Sequence, residues 1–218
     1  MTWDEMAPYL WEATGESAVM VGWATLFTVL FGLPLGVALV VFDRGGLLPL
    51  PALKSALGFV VNMGRSLPFI VLMIAITPFT RLVVGTTLGT GAFVVPLTVG
   101  AVPFFARLVE TALREVATDV VQAAQAMGAS RTEIVRKVLL PEALPGLVAG
   151  LTVTVVALIG YSAMAGTLGG GGLGDLAVRY GYQRFETVLM IVTVVLLIVI
   201  VQLLQSLGDW VARRLSHK

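Results

Sequence analysis

The sequence predicts an all-α membrane protein of five transmembrane helices, with its N-terminus outside and its C-terminus inside. Three observations lead there. Of 218 residues, 57% are hydrophobic and 12% charged, with a mean hydropathy of +0.95, whereas a soluble globular chain is nearer to a quarter charged. A core of this size cannot hide so much apolar surface in water, so lipid is the implied solvent. Five charge-poor stretches each approach the ~20 residues that a helix needs to cross hydrocarbon. Lys and Arg are also shared unevenly between the connections, which sets the orientation.

The first 15 residues read as an external segment. The flank "MTWDEMAPYLWEATGES" carries Asp4, Glu5, Glu12 and Glu16 and no Lys or Arg. A cleaved signal peptide has a basic start and a short apolar core, so the stretch at about 18–42 is expected to be a retained span. It holds no charge before Asp43. The second span, about 56–79, carries Arg65, and the third, about 90–109, is interrupted by Pro96 and Pro103. The fourth, about 144–167, sits in an uncharged run from Ala143 to Gly174, and the fifth, about 187–208, is uncharged from Thr187 to Gly208. A loop at about 114–142 and a tail at 210–218 then fall inside. Inside segments hold nine basic residues (Arg44, Lys54, Arg114, Arg131, Arg136, Lys137, Arg213, Arg214, Lys218), against three outside (Arg81, Arg179, Arg184). Trp11, Trp23 and Trp210 lie near span boundaries, where indole prefers to sit.

The inside loop contains "QAAQAMGASRTEIVRKVLLPEALPG", Gln122 to Gly146. Gly128 can end one helix, because glycine enters the left-handed conformation without steric cost. Ser130 followed by Glu133 is a capping box for the next. With Arg131, Arg136 and Lys137 the pair resembles a small DNA-binding module. A recognition helix must enter a major groove, however, and short tethers to two spans hold this pair against the headgroups. Ala123, Ala124, Ala126 and Met127 offer a small, smooth apolar surface suited to a groove on a partner. A connector lying flat on the bilayer is the alternative that composition leaves open.

The same run resembles the EAA loop of ABC importer permeases, in which Glu-Ala-Ala, three residues and Gly precede an apolar and Leu-Pro ending. The matching positions are Gln122, Ala123, Ala124, Gly128, Ile134, Leu140 and Pro141. Gln122 departs from the family's glutamate: it keeps hydrogen-bonding capacity and loses the charge. The segments "NMGRSLPFIVLMIAITPFTRLVVGT", "VVPLTVGAVPFFARLVE" and "GYSAMAGTLGGGGLGDLAVRYGY" are similar to the methionine-type subgroup. The resemblance covers roughly Glu16 to Asp209 and implies a type I importer transmembrane domain over 16–209. It further implies a homodimer in the bacterial inner membrane, two ABC ATPase subunits and an external substrate-binding protein. The EAA loop would form the coupling helix, so Gln122, Ala123, Ala124, Ala126, Met127, Gly128, Ser130 and Arg131 are its expected contacts with the ATPase. The activity implied is import of methionine, D- or L-, by alternating access.

The residues agree that partners are needed. Nothing matches the phosphate-cradling Gly-x-x-x-x-Gly-Lys-Ser/Thr loop, so ATP and Mg are expected on the partner, with no cofactor in this chain. The only histidine is His217 and there is no cysteine. His- or Cys-based catalysis is therefore excluded, and a metal site of those ligands is not expected. Ten helices around a two-fold axis can surround a path for an amino acid far better than five. Arg65 is costly inside a bilayer and should face protein or water. With Ser66, just before the helix-breaking Pro68, it is a candidate for the path or its gate; a snorkelling or structural arginine is the alternative. Tyr161, Ser162 and Met164 place two hydroxyls and a thioether in an aliphatic span, lining the path or simply packing. Gly169, Gly171 and Gly174 match a dinucleotide fingerprint, but that motif needs a preceding strand. A re-entrant or surface turn near the outer mouth is expected instead. Gly32/Gly36 and Gly146/Gly150 predict close helix contacts. Two rival readings remain: a same-fold permease for another small solute, such as a polar amino acid or osmoprotectant, and a membrane-anchored DNA-binding sensor. Copurification of an ATPase, with no nucleic acid bound, separates the classes.

Overall fold

The computed structural model describes residues 2–216, and all regular structure among them is helical. Four helices are long and apolar enough to cross a membrane: α1 (Trp3–Val41), α5 (Thr90–Arg114), α9 (Leu144–Gly166) and α11 (Thr187–Leu215). A fifth crossing is broken. α2 (Pro51–Ser66) and α3 (Phe69–Ala75) meet at 104°. The break follows from Pro68, whose ring disfavours helical geometry in the residue before it; Leu67 is accordingly extended, with ψ 128°. α4 (Thr77–Val84) then starts with Pro78 in its first turn, where the missing N–H costs nothing.

α1 runs for 39 residues, about 58 Å at 1.5 Å per residue, well beyond the first apolar stretch of the sequence. The acidic flank is the helix's first turns. Asp4 and Glu5 suit the positive end of the helix dipole, and the Glu5 carboxylate accepts the Thr2 N–H at 2.7 Å. Met6, Leu10 and Ala13, spaced as one helical face, are buried against Leu173, Leu176 and Leu189. α11 likewise continues past the apolar run, to Leu215. Pro96 and Pro103 do not stop α5; both are buried within it, where neighbouring helices compensate for the lost backbone bonds.

α5 is the central post. On α1, a Cβ at Gly36 would lie 2.5 Å from Val109 Cβ, and one at Gly32 2.9 Å from the Phe105 ring. On α9, a Cβ at Gly146 would lie 3.0 Å from Ala112 Cβ and one at Gly150 3.1 Å from Leu108 Cβ. Both glycine pairs therefore sit at helix crossings on α5, as small residues do where packing rather than water drives association. α11 rests on α9 with Gly208 against Thr152. Its far side, with Ile191, Ile198, Leu203 and Leu207, is exposed and suited to lipid. The remaining helices join these posts: α6 (Thr118–Ala126), α7 (Arg131–Ile134), α8 (Leu140–Glu142) and α10 (Gly172–Leu176).

Candidate functional site

The turn between α6 and α7 is built by local chemistry. Gly128 has φ +81°, and its N–H donates to Gln125 O at 2.9 Å while that of Ala129 donates to Ala124 O at 3.1 Å. This is the paired-bond ending that a left-handed glycine permits. The Ser130 hydroxyl caps the next helix at the Glu133 N–H, 3.4 Å. In return the Glu133 carboxylate accepts from the Ser130 N–H at 3.1 Å and its hydroxyl at 2.8 Å. Lys137 Nζ lies 3.1 Å from the same carboxylate. The Ser130 bonds, then Lys137, pull the Glu133 pKa from 4.5 to about 2. α7 then widens into a π-helical turn over Val135–Leu139, which brings Ile134 and Leu139 both inward.

Those two side chains close over Ala124, which is buried among them. The apolar surface expected of four residues is thus a surface of three, because Ala124 lies on the helix face that seats the turn on its own bundle. Ala123, Ala126 and Met127, the last 82% exposed, point outward with Gln122, Gly128, Ser130 and Arg131.

Beside α6 lies a crevice of about 420 Å³, lined by Gln125 and by Gln122, at the edge of the outward face, together with Asp43, Arg114, Gly45 and Gly46. The Arg114 guanidinium reaches Asp43 at 2.5 Å and Glu110 at 2.9 Å. Its hydrogen bond holds the Asp43 carboxyl below the usual carboxylate value, with the Arg44 N–H assisting. Arg107 pairs with Glu110 from the other side at 2.5 Å and donates to Asn62 Oδ1 at 3.1 Å.

A second cleft, of about 250 Å³, opens at the break between α2 and α3. It is lined by Gly64, Arg65, Leu67, Phe69, Leu72, Gly100, Phe104 and Tyr161. Phe69 stacks on Tyr161 with centroids 4.3 Å apart and planes 13° from parallel. Arg65 and Tyr161, 96 residues apart in the chain by their numbers, therefore share one cleft. Ser66 is exposed beside it and donates to Asn62 O at 2.8 Å. Ser162 does not join them: it is buried, and its hydroxyl donates to Ile159 O at 2.8 Å. Met164 is 37% exposed and is not among the residues lining the cleft.

The family of binding-protein-dependent transport system inner membrane components matches residues 29–217. The chain belongs to that family. This inner membrane component is 56% identical over 206 residues to the probable D-methionine transport system permease protein MetI of Vibrio cholerae, covering 94% of this chain and 92% of that one. It is 44% identical to the methionine import system permease protein MetP of Bacillus subtilis, covering 96% and 94%. A solved structure of the MetNI methionine ABC transporter, in inward facing conformations, matches with TM-score 0.97 at 44% identity over 100% of both chains. The type I importer transmembrane fold follows, and the permease is an ABC transporter subunit of the bacterial inner membrane.

Two features of this inner membrane component escape the sequence reading. Glu16 and Ser17 on α1 accept the backbone N–H groups of Gly172 and Leu173 at 2.6 and 2.9 Å. They latch the glycine-rich turn, where Gly169, Gly171 and Gly172 all have positive φ. Gly166 and Gly174 let that turn fold back on α9, since a Cβ on Gly174 would meet Ala163 O at 2.1 Å. No local pattern announces a bond across 156 residues. The Arg107–Glu110–Arg114 cluster did have a signal, the i+3 and i+4 spacing of opposite charges on one helix face.

Proposed function

We propose that this chain is the permease subunit of an ATP-driven importer and forms the translocation path for methionine, D- or L-, by alternating access. It acts as a pair of copies joined to two ABC ATPase subunits and an external substrate-binding protein, and ATP with Mg is bound by the ATPases. The single observation that carries the reading is the full-length match to the MetNI methionine transporter at TM-score 0.97, and relatives named for methionine transport agree. The uneven sharing of Lys and Arg supports N-terminus outside and the turn of α6 and α7 inside.

In this reading the outward face of Gln122, Ala123, Ala126, Met127, Ser130 and Arg131 seats in the ATPase. Closure of the two ATPases on nucleotide draws the paired turns together. Ala124, locked against Ile134 and Leu139, passes that movement to the bundle rather than touching the partner. Arg65 and Tyr161 line the path at the broken crossing, with Ser66 at its edge. Ser162 and Met164 act there only through the packing of α9.

Two experiments test the reading. Cysteine at Met127 should crosslink to the copurified ATPase, while cysteine at Ala124 should not. Vesicles holding the assembled transporter should take up labelled methionine in an ATP-dependent way, with other amino acids competing poorly. Uptake displaced equally by a polar amino acid or an osmoprotectant would reassign the substrate; no ATPase at Met127 in actively transporting vesicles would reject the coupling surface.

A further inference from the structure

The chain buries one carboxylate that substrate binding and the ATPase surface leave unused. Glu110 on α5 is 4% exposed at its side chain, yet it takes three charge-assisted bonds: from Arg107 at 2.5 Å and from Arg114 at 2.9 and 3.1 Å. The two arginines stand on opposite sides of it along the helix, and each leaves α5 for another element. Arg114 reaches Asp43, just past the end of α1, and Arg107 reaches Asn62 on α2. Lys54, near the start of α2, lies 3.7 Å from the same Asp43. α2 is thus linked near both ends to one buried carboxylate, through Asp43 and Arg114 on one side and through Arg107 on the other.

The two ends of this chain of bonds lie at the two candidate sites. Asp43 and Arg114 form the wall of the crevice that Gln122 and Gln125 of α6 complete. Asn62 is one turn before the α2–α3 break, and its carbonyl holds the Ser66 hydroxyl beside Arg65. We infer that Glu110 is a positioning residue that transmits movement of the α6–α7 turn to the bend above it, an inference that rests on the turn being the ATPase contact. The physical reason is stiffness. A guanidinium is a planar fork with fixed bond directions, and a buried carboxylate cannot exchange one partner for water without a large penalty. A shift of α6 that moves Arg114 therefore redirects Glu110, then Arg107, then the end of α2. The element that yields is the break at Leu67–Pro68, where no continuous helix resists a change of angle. Aliphatic contacts between the same helices would slide and dissipate the shift.

The test uses the complete transporter in vesicles, with its ATPase and binding protein, and reads methionine taken up per ATP hydrolysed. Glu110→Gln should assemble and hydrolyse ATP while that ratio falls about fivefold or more, the lower range of coupling energies between sites. Asn62→Ala, at the end remote from α6, should lower the ratio in the same direction. Asp43→Asn, which keeps the size of the side chain and removes the charge that Arg114 meets, should lower it too. A merely structural cluster would lower the melting temperature and reduce uptake and hydrolysis together at a constant ratio; that result overturns the inference. If Glu110→Gln does not assemble, a wild-type ratio in Asn62→Ala overturns it as well. Absence of the ATPase from the wild-type preparation would instead defeat the coupling reading beneath it.

Discussion

The turn of α6 and α7 and the cleft at the broken crossing are stabilised in opposite ways. Every bond that shapes the turn links residues five or fewer apart: Gly128 to Gln125, Ala129 to Ala124, Ser130 to Glu133, Lys137 to Glu133. The cleft is assembled from far along the chain. Phe69 stacks on Tyr161, Gly64 closes on Pro103, and Arg107 reaches 45 residues to Asn62. The turn can therefore keep its shape while the bundle around it changes angle. The cleft has no shape apart from the bundle and must change with it. On the proposed reading, the turn that receives work is rigid in itself and the path that opens and closes is held by contacts between moving parts.

The sharpest way to break this contrast is to disturb the bundle alone. Gly36→Val would press its side chain on Val109 and Ala106, costing about 3 kcal/mol as overpacking. The melting temperature in detergent should fall and uptake should be lost, while hydrogen exchange within 118–142 stays protected in whatever protein remains folded. Equal loss of protection in the turn would show that it does not stand alone. Gly128→Val is the reverse disturbance. Nothing crowds its Cβ, so the cost is the left-handed backbone alone, roughly 1–2 kcal/mol. Exchange should rise only over 118–142, and crosslinking through Met127→Cys should weaken with the melting temperature little changed.

Tyr161→Leu sharpens the cleft side. It removes the stack on Phe69, roughly 1 kcal/mol beyond area, and should slow uptake without altering that crosslink. The smallest effect expected is acid sensitivity of the turn. Glu133 has its pKa lowered to about 2 from 4.5, so its stabilisation is fully present above 4.5 and is lost as pH falls through about 2. The amide resonance of Glu133 should titrate near the lower value, and Ser130→Ala should move the midpoint toward 4.5. A midpoint that ignores the substitution would remove Ser130 as the main cause.

Much of the turn was legible because its rules are short-ranged: a glycine just past the end of α6, Ser130 placed three before Glu133, and Leu-Pro at the end. The direction each alanine faces was not. Ala123, Ala124 and Ala126 are nearly alike, so no apolar contrast marks the inward one, and only contact with Ile134 and Leu139 selects Ala124. At the other site, Pro68 announced a weak point beside Arg65. Nothing in "GYSAM" distinguished Tyr161, which enters the cleft, from Ser162, which satisfies its hydroxyl within its own helix. The long first helix was half visible, since Met6, Leu10 and Ala13 keep helical spacing beneath an acidic composition that suggested an external segment ahead of the span.

By itself, the order of residues determined where the chain crosses lipid and where it turns. An uncharged stretch of sufficient length leaves the backbone no option but to bond within itself, and glycine, serine and proline settle turns within a few residues. It also marked the glycine pairs on which helices close. Tertiary structure alone decided that Glu16 latches a glycine turn 156 residues away, that one buried glutamate joins three elements, and that Arg65 and Tyr161 share a cleft. Those are pairings between distant segments, and their energies exist only once the helices have packed.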